Sequence, residues 1–468
     1  MGRIARTACT TLAAVGLATL AVCAPGAGAR VAFTHASKLR NSPPKGNLPG
    51  GEPSVVFDRD GRHVYVVAPG GEEPSGGVGF WRSTNAGRSF KRGRSIGSLV
   101  GGGDSDVDIG ADHTVYVADL EVVANALCRS HNFGRTFDSG CDTGIATNHA
   151  GPDSDREWVT PSPVNPNLVY FSYHDFAGEM PVVYRSESGG DPGSFVACGP
   201  VLAPGSQAEQ NFATGGTNQG KPAIDRAGTL YDPILEPDAG DTVSDPYDRF
   251  YIAIARHGCD SGTTFKDVLV YHNPRANLAN IFPYVVNRGK RLYAAVTGVI
   301  GKRRHTHHKR GHRHFGVYLF RSNDRGRHWS KPIRVNLPKF KASSLGAVTV
   351  GPKPRDVALG FYRTRTTRNP ASKKNRWKYE VAISRSSGRR FSYRRITRHP
   401  IHFGAICTTG ILCSGGRNLL DFSSVGVNPK SGCVLAVFAG DPYDTPSNGR
   451  DAEAAPYVSR QRAGCFKR

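Results

Sequence analysis

A short turn motif recurs along the chain and limits the folds that the chain can adopt. Its clearest copy follows the apolar run 317–320 and reads Ser322-Asn323-Asp324-Arg325-Gly326-Arg327-His328-Trp329. The aromatic and β-branched run predicts a strand, the Asp and Gly suit a tight turn, and the Trp anchors the return strand. The motif therefore predicts a β-hairpin that is complete within a few residues.

Six further copies of this turn occur along the chain. Each keeps some of the Ser, Gly and aromatic positions, with Asp, Asn or Ser between them, and the third and last copies are incomplete. The defining residues of the seven copies are Ser83, Gly87, Phe90; Ser130, Gly134, Phe137; Ser186, Phe195; Asp260, Gly262, Phe265; Ser322, Asp324, Gly326, Trp329; Ser384, Gly388, Phe391; and Ser459, Phe466.

The spacing of these turns indicates a repeat architecture. Successive aromatic residues of the motif lie roughly 50 to 75 residues apart, which is the size of one β-propeller blade with insertions. A second hairpin signal, such as Asp58-Arg59-Asp60-Gly61 between two apolar runs, also occurs in every repeat. We therefore predict an all-β chain that forms a single β-propeller of seven four-stranded blades, with six blades as the alternative.

The turn motif resembles the Asp-box, or BNR, repeat of the sialidase-like β-propellers of secreted bacterial proteins. The similarity extends over nearly the whole chain. In that family the box lies between the two outer strands of a blade, on the face away from the substrate site. The resemblance therefore implies turn chemistry for the Ser, Asp and Gly residues, and it is specific for the fold rather than for the function.

The first 29 residues have the pattern of a secretory signal peptide. Arg3 and Arg6 precede an apolar segment 10–22, and Ala27-Gly28-Ala29 forms a small-residue cleavage site. A lipoprotein signal that uses Cys23 is the alternative. No later apolar stretch is long enough to predict a transmembrane helix. We expect a secreted or extracytoplasmic protein with a lead-in segment 30–50 and a propeller over 51–468.

Eight cysteines remain after the predicted signal peptide, an even number that fits disulfides in an oxidising compartment. Eight cysteines allow 105 pairings, so the connectivity stays open. Proximity in sequence favours Cys128 with Cys141 and Cys407 with Cys413. Cys433 and Cys465 would then join the last repeat and leave Cys198 with Cys259. Scattered cysteines do not suggest a metal site.

The residues just ahead of each inner strand are the expected site-formers, because in propellers of this class the inner strands begin at the mouth of the central channel. Charged groups cluster there on four of the repeats. The candidate catalytic residues are Asp104, Asp106, Asp155 and Glu157, and the candidate ligand-binding residues are Arg156, Lys221, Arg417 and Asp421. Carboxylates with cations nearby suit a polar ligand such as a sugar.

The segment 301–314 is the most biased in composition, rich in His, Lys and Arg. Three interpretations of this segment stay open: it binds a transition metal, it binds a polyanion, or it is a solvated loop without a ligand. The formal net charge of +23 favours an anionic partner. Calcium is considered at Asp104, Asp106 and Asp108 and in the acidic segment 238–248, but the first set lacks the Gly and Glu of a calcium loop. No cofactor is required.

The expected function is recognition of a glycan or anionic surface polymer at the channel mouth, by a monomer and without nucleic acid, since stacking motifs for nucleic acid are missing. The resemblance implies an arginine triad in sialidases, yet the Arg-Ile-Pro motif is absent and Gly50-Gly51-Glu52-Pro53 stands in its place. Arg156, Arg355 and Arg417 are candidate anion clamps. A divergent exo-acting glycoside hydrolase and a protein-interaction scaffold are the alternatives.

Overall fold

The computed structural model describes residues 30–40, 50–70, 77–97, 103–121, 124–138, 141–145, 154–175, 180–238, 240–241, 245–301, 314–413, 415–442 and 454–467. The expected signal peptide 1–29, with Cys23, lies outside the described residues. So does the segment 302–313, which is nearly all of the His- and Arg-rich loop.

The described chain forms thirty-one strands in seven sheets, and the prediction of an all-β propeller with seven blades is confirmed. Two short strands come first, followed by blades 1 to 4: β1 (Ala32–Phe33), β2 (Ser37–Lys38); β3 (Ser54–Phe57), β4 (Val64–Ala68), β5 (Gly79–Ser83), β6 (Lys91–Arg92); β7 (Ser105–Ile109), β8 (Val115–Glu121), β9 (Ala124–Ser130), β10 (Asp142–Ile145); β11 (Ser154–Pro161), β12 (Val169–Asp175), β13 (Met180–Ser186), β14 (Val196–Ala197); β15 (Asn218–Gln219), β16 (Ala223–Ile224), β17 (Leu230–Glu236), β18 (Arg249–Ala255), β19 (Lys266–His272).

Blades 5 to 7 follow in the same order from the inner strand outward: β20 (Tyr284–Arg288), β21 (Arg291–Gly298), β22 (Gly316–Ser322), β23 (Ile333–Arg334); β24 (Ala342–Val350), β25 (Val357–Thr364), β26 (Arg376–Ser384), β27 (Ser392–Arg395), β28 (His402–Phe403); β29 (Ser424–Val427), β30 (Val434–Gly440), β31 (Ala455–Ala463). Among the described residues, the helical elements are α1 (Gln207–Gly215) and a short 3-10 turn at Gly410–Leu412.

The second strand of each blade is buried because its sheet packs between two neighbouring blades. Every residue of β4, β25 and β30 is buried; β4 and β30 are continuous apolar runs such as Val-Leu-Ala-Val-Phe-Ala-Gly, whereas β25 ends in Arg363-Thr364. Separate apolar clusters fill the spaces between adjacent sheets. Burial of these runs on both faces is what favours strands here, since burying apolar area contributes about 25 cal/mol per Å².

The ring is closed by pairing the two ends of the chain. Strands β1 and β2 both lie antiparallel to β31, with Ala32 opposite Ala463 and Ser37 opposite Val458. Leu39 and Val31 are buried beside this junction. Residues of the expected lead-in segment therefore supply the outermost strand of blade 7.

The repeated turns share one hydrogen-bond pattern in five of the blades. The Gly N–H donates to the Ser Oγ four residues earlier, at 2.9 to 3.0 Å, for Gly87, Gly134, Gly190, Gly326 and Gly388. In the fifth blade Arg325 and Gly326 have φ of 58° and 81°, which explains a glycine at the second position. In the fourth blade the Gly262 N–H donates to Asp260 instead. These side chains serve turns, as the resemblance implied.

Four disulfides join the pairs Cys128–Cys141, Cys198–Cys259, Cys407–Cys413 and Cys433–Cys465, which are the four pairs expected from the sequence. Such bonds fit an oxidising, extracytoplasmic compartment. In the described part of the chain, no helix has the length and apolar character needed to cross a membrane.

Candidate ligand site at the channel mouth

The channel mouth is the end of the central channel at which the inner strands begin, opposite the face formed by the repeated turns. Two inner strands start there with a β-bulge. Arg156 and Glu157 together oppose one residue of β12, and Leu345 and Gly346 oppose one residue of β25. Arg156 and Leu345 have φ of 62° and 51°, a conformation that costs free energy in residues with a side chain. The bulge of blade 3 redirects Arg156 into the channel.

A layer of aromatic side chains crosses the channel and holds this arginine. The Arg156 guanidinium lies 4.0 Å from the Trp158 ring centre and 4.1 Å from that of Phe422. Trp158 also packs edge-on against Phe282. Arg156 is only 1% exposed, its Nη2 donates to the Ser105 carbonyl at 3.0 Å, and its Nη1 lies 3.9 Å from Glu52 Oε2. The layer forms a floor beneath the mouth.

Five carboxyl groups surround this floor: Glu52, Asp104, Asp155, Glu157 and Asp421. Asp104 and Asp155 are partly exposed, whereas the other three are buried. Asp104 lies close enough to Glu52 and Asp155 for its charge to act on both carboxyl groups. Like charges at short range disfavour the ionised form of a neighbouring carboxyl group.

Burial and like charge favour the protonated form of Glu52, Asp155 and Glu157, and burial favours that of Asp421. Burial, followed by the charge of Asp104, raises the pKa of Glu52 and of Asp155 well above the ordinary range. The same two causes raise the pKa of Glu157, to which Asp155 adds. Burial raises the pKa of Asp421 to about 6, although Arg417 opposes the shift. Neither carboxyl oxygen of Glu157 has a hydrogen-bond partner among the described residues.

Arg417 stands at the rim of the mouth and is engaged within the protein. Its Nη2 lies 3.0 Å from Asp421 Oδ2, and its Nη1 donates to the Gly410 carbonyl at 2.5 Å. Gly410 belongs to the loop closed by the Cys407–Cys413 disulfide. That loop reaches toward blade 5, where the Asn280 N–H donates to the Thr408 carbonyl at 3.0 Å. The disulfide loop therefore borders the mouth.

Asp106 and Lys221 were expected at the mouth but lie deeper, beyond the aromatic floor. The inner strand of blade 4 is broken between β15 and β16, and Lys221 projects from the break into the channel. Its Nζ lies 2.8 Å from both Asp106 Oδ2 and Asp108 Oδ2. Burial by itself lowers the pKa of Lys221, but the two carboxylates stabilise its ammonium form and raise the pKa above the ordinary value. Asp106 also accepts hydrogen bonds from the Ser54 hydroxyl and from the Val159 N–H. The Asp106–Lys221 contact and these hydrogen bonds therefore link blades 1 to 4 across the channel.

Two cavities adjoin these groups. One of about 430 Å³ lies on the far side of the floor and is lined by Trp158, Phe422, Lys221 and apolar residues of the inner strands. The other, of about 600 Å³, opens beside the mouth and is lined by the disulfide loop, His402 and Asn418. The second cavity is lined by Gly416 and Asn418, the sequence neighbours of Arg417. It offers room for a ligand that extends beyond the mouth.

Among the described residues, the acidic groups considered for calcium contact other side chains. Asp106 and Asp108 bind Lys221, while Asp104 lies among the mouth carboxyls. In the acidic segment, Asp238 and Asp248 meet His272, with one possible ligand atom from each within 4.8 Å of the others. A His nitrogen is a ligand for transition metals rather than calcium. Arg249 also pairs with Asp238, which reduces the negative charge available there.

The sequence placed Asp104, Asp155, Arg156, Glu157, Arg417 and Asp421 at one rim, and the structure brings these six together. Arg355 is not among them, because it lies in the hairpin between β24 and β25, on the turn face, where its carbonyl accepts from the Ser387 N–H. Glu52 was noted only as part of a rim segment. Trp158 and Phe422 were missed, although alternation along β11 could have assigned Trp158 to the channel.

Replacing Glu157 with glutamine is expected to stabilise the protein at pH 8 by ~1–3 kcal/mol, because an uncompensated buried carboxylate becomes a neutral amide. Since the folded-state pKa of Glu157 is raised, its favourable contribution is complete below about pH 4.3 and is lost as pH rises through the folded-state value. Thermal unfolding between pH 5 and 8 should show a falling melting temperature for the wild type and a flatter profile for Glu157→Gln.

The exposed ion-paired residue Glu187 provides the control for this experiment. Glu187→Gln should leave the pH profile unchanged, since surface pairs contribute little. A Glu157→Gln protein that is as pH-dependent as the wild type, or less stable at pH 8, would contradict the expectation.

Comparison with known proteins yields similarity of fold. The chain matches no protein-family model and no curated protein sequence. Among solved structures it is similar to a protein of unknown function from Dyadobacter fermentans, at 13% identity over 93% of this chain and 100% of that chain, with a TM-score of 0.49. It is also similar to the phage phi92 endosialidase, at 11% identity over 93% of this chain and 70% of that chain, with a TM-score of 0.48.

A third similar structure is an α-L-arabinofuranosidase from Fusarium graminearum, solved as a mutant in complex with an iminosugar inhibitor. It is 11% identical over 91% of this chain and 97% of that chain, with a TM-score of 0.47. At such identities the similarity concerns the fold alone. The function of the present chain has to be argued from its own site.

Proposed function

We propose that this protein acts outside the cytoplasm as a monomeric glycan-recognition propeller that binds a terminal sugar residue at the channel mouth. The observation that carries the proposal is the carboxyl cluster, in which partly exposed Asp104 and Asp155 lie above the floor of Arg156 and Trp158. Carboxylate oxygens accept hydrogen bonds from sugar hydroxyls, and a floored recess favours the end of a glycan over its interior.

The charge of the mouth favours an uncharged or amino sugar. Five carboxyl groups converge there, and the two nearby arginines are already committed: Arg156 is buried under the cluster, and Arg417 is paired with Asp421. A sugar carboxylate would meet like charge there, and in the described part of the chain both arginines at the mouth are already engaged. The mouth is therefore a poor site for the anionic surface polymer that the net charge suggested, and a sialic acid is disfavoured for the same reason.

Hydrolysis of a glycosidic bond is the second candidate function, and one observation favours it specifically. Asp155 and Asp104 lie side by side at the partly exposed rim, and burial followed by the charge of Asp104 raises the pKa of Asp155. A carboxyl group with a raised pKa beside a second carboxyl group is the arrangement that glycoside hydrolases use as acid and base.

An array of neutral, amino and acidic glycans tests the proposal directly. Binding should concentrate on glycans with uncharged or amino-sugar termini, and sialylated glycans should bind more weakly than their desialylated counterparts. Fluorogenic glycosides assayed from pH 4 to 7 test the hydrolytic candidate. A protein that binds no glycan on a broad array, or that prefers sialylated termini, would contradict the recognition proposal.

A further inference from the structure

A dense group of cations lies in the cleft between blades 5 and 6, at the end of the cleft nearest the channel mouth. The blade-6 cluster consists of Lys339 from the connection between the blades, of Arg363, Lys378 and Arg395 on the strands of blade 6, and of Arg365 just after β25. It sits above the apolar core between the two blades, which includes Phe361 and Tyr393. The cluster is distinct from the carboxyl-lined mouth and differs from it in sign.

One aromatic ring organises three of these cations. The Phe340 ring centre lies 4.9 Å from the Arg363 guanidinium, 5.9 Å from that of Arg365 and 5.7 Å from Lys339 Nζ. Phe340 and Arg363 are only 1% and 7% exposed, whereas Arg365 and Lys339 are exposed. The ring attracts each cation through its negative face. The result is a recess with a buried guanidinium at its base and flexible cations at its rim.

Strand register brings the remaining members to the same side of the sheet. Arg363 on β25 lies directly opposite Lys378 on β26, and Glu380 on β26 lies opposite Arg395 on β27. Glu380 is the only acidic residue of β25, β26 and β27, and the Arg363 Nε lies 3.2 Å from its carboxylate. One carboxylate therefore faces five cations, and burial together with Arg395 and Arg363 lowers the pKa of Lys378.

Blade 5 contributes apolar side chains to the opposite wall of the cleft. Ile333 on the outermost strand β23, and Val335 just after it, pack in the core between blades 5 and 6, and the Tyr393 hydroxyl donates to the Val335 carbonyl at 2.8 Å. Arg334 pairs with Tyr318 and shares the other face of the sheet, toward blade 4. The cations of this cleft therefore come from blade 6 and from the connection that leads into it.

We propose that this cleft binds the sulfate, phosphate or carboxylate groups of an anionic polysaccharide. Planar guanidinium groups bind such oxyanions with paired hydrogen bonds, and Arg365 and Lys339 stand exposed at the rim of the recess, where an oxyanion can reach them. The recess favours a polymer whose projecting substituents can enter it and reach Arg363 at its base. A flat membrane would contact the rim cations but not Arg363. The inference goes beyond sugar recognition at the mouth and does not depend on it.

Binding of dextran sulfate and of uncharged dextran tests the proposal. The variant Arg365→Glu/Arg395→Glu changes two exposed rim residues, so folding should be preserved, and its affinity for dextran sulfate should fall at least about tenfold at physiological salt, since charged hydrogen bonds contribute ~1.5–3 kcal/mol. The matched control Arg88→Glu/Arg327→Glu makes the same charge change at exposed residues of the turn face and should lose less than about threefold.

The control is needed because a chain of net charge +23 attracts any polyanion. Equal losses in the two double variants, or no loss in either, would overturn the proposal. So would phosphatidylglycerol vesicles whose binding depends on Arg365 and Arg395 while dextran sulfate binding does not. Binding of array glycans at the mouth should persist in Arg365→Glu/Arg395→Glu, so failure at one site is distinguishable from failure at the other.

Discussion

Replacing Arg156 with alanine is expected to destabilise the propeller by ~3–5 kcal/mol. The change removes the cation that lies near Glu52, Asp155, Glu157 and Asp421 and leaves a cavity between two aromatic rings. Without the guanidinium the carboxyl pKa values rise further, so the folded protein must either take up protons or hold unpaired charge. The loss should therefore be larger at pH 8 than at pH 5, as measured by denaturant unfolding at both values.

Two further variants separate the charge of Arg156 from its packing. Arg156→Met keeps most of the volume and should recover part of the stability at pH 5, where the carboxyls are more protonated, but little at pH 8. Arg417→Ala, at the partly exposed rim pair, should cost about 1 kcal/mol or less. If Arg156→Ala unfolds at the same denaturant concentration as the wild type, the aromatic floor does not depend on the buried guanidinium.

Replacing Asp155 with asparagine is expected to weaken binding of the best array glycan by ~10- to 100-fold, because a charged hydrogen bond to a sugar hydroxyl contributes ~1.5–3 kcal/mol. Should hydrolysis be found, the same change should lower kcat/KM by ~100- to 10,000-fold, the range for loss of general acid–base catalysis. Asp104→Asn should act in the same direction. Isothermal titration calorimetry and steady-state kinetics give the two quantities.

Stability measurements show whether a loss of affinity at Asp155 arises from the site. Asn is a neutral isostere that relieves the like-charge contact with Asp104, so the melting temperature at pH 8 should stay constant or rise. Glu187→Gln, a carboxyl change on the turn face, should leave binding unchanged. Wild-type affinity in both Asp155→Asn and Asp104→Asn would remove the carboxyl cluster from the proposed site.

The fold could be predicted from the sequence because its signals are local and repeated. A turn such as Ser322 to Trp329 is specified by a few adjacent residues, and its recurrence gives the number of blades directly. The disulfides Cys128–Cys141 and Cys407–Cys413 followed from short separations for a similar reason. Closure of the ring by β1 and β2 carried no local signal, since these strands pair with a partner more than 400 residues away in the chain.

The rim of the candidate site could be predicted in part. Knowing that inner strands start at the mouth was enough to select Asp155, Arg156 and Glu157. The same knowledge could not show that Asp104 lies at the rim and Asp106 below the floor, because the two residues are only two positions apart in the sequence. The break in the inner strand of blade 4, which sends Lys221 into the channel, depends on how the surrounding blades pack.

The all-β propeller, with seven blades favoured over six, can be predicted from the sequence because strand period and turn chemistry are set by neighbouring residues. The sequence also gives the excess of positive charge, +23 over the whole chain, but not where that charge lies. The collection of carboxyls at the mouth around Arg156, and of cations around Phe340 between blades 5 and 6, becomes visible in three dimensions alone. Electrostatic interaction depends on distance in space, and closing the ring brings together groups that are far apart in sequence.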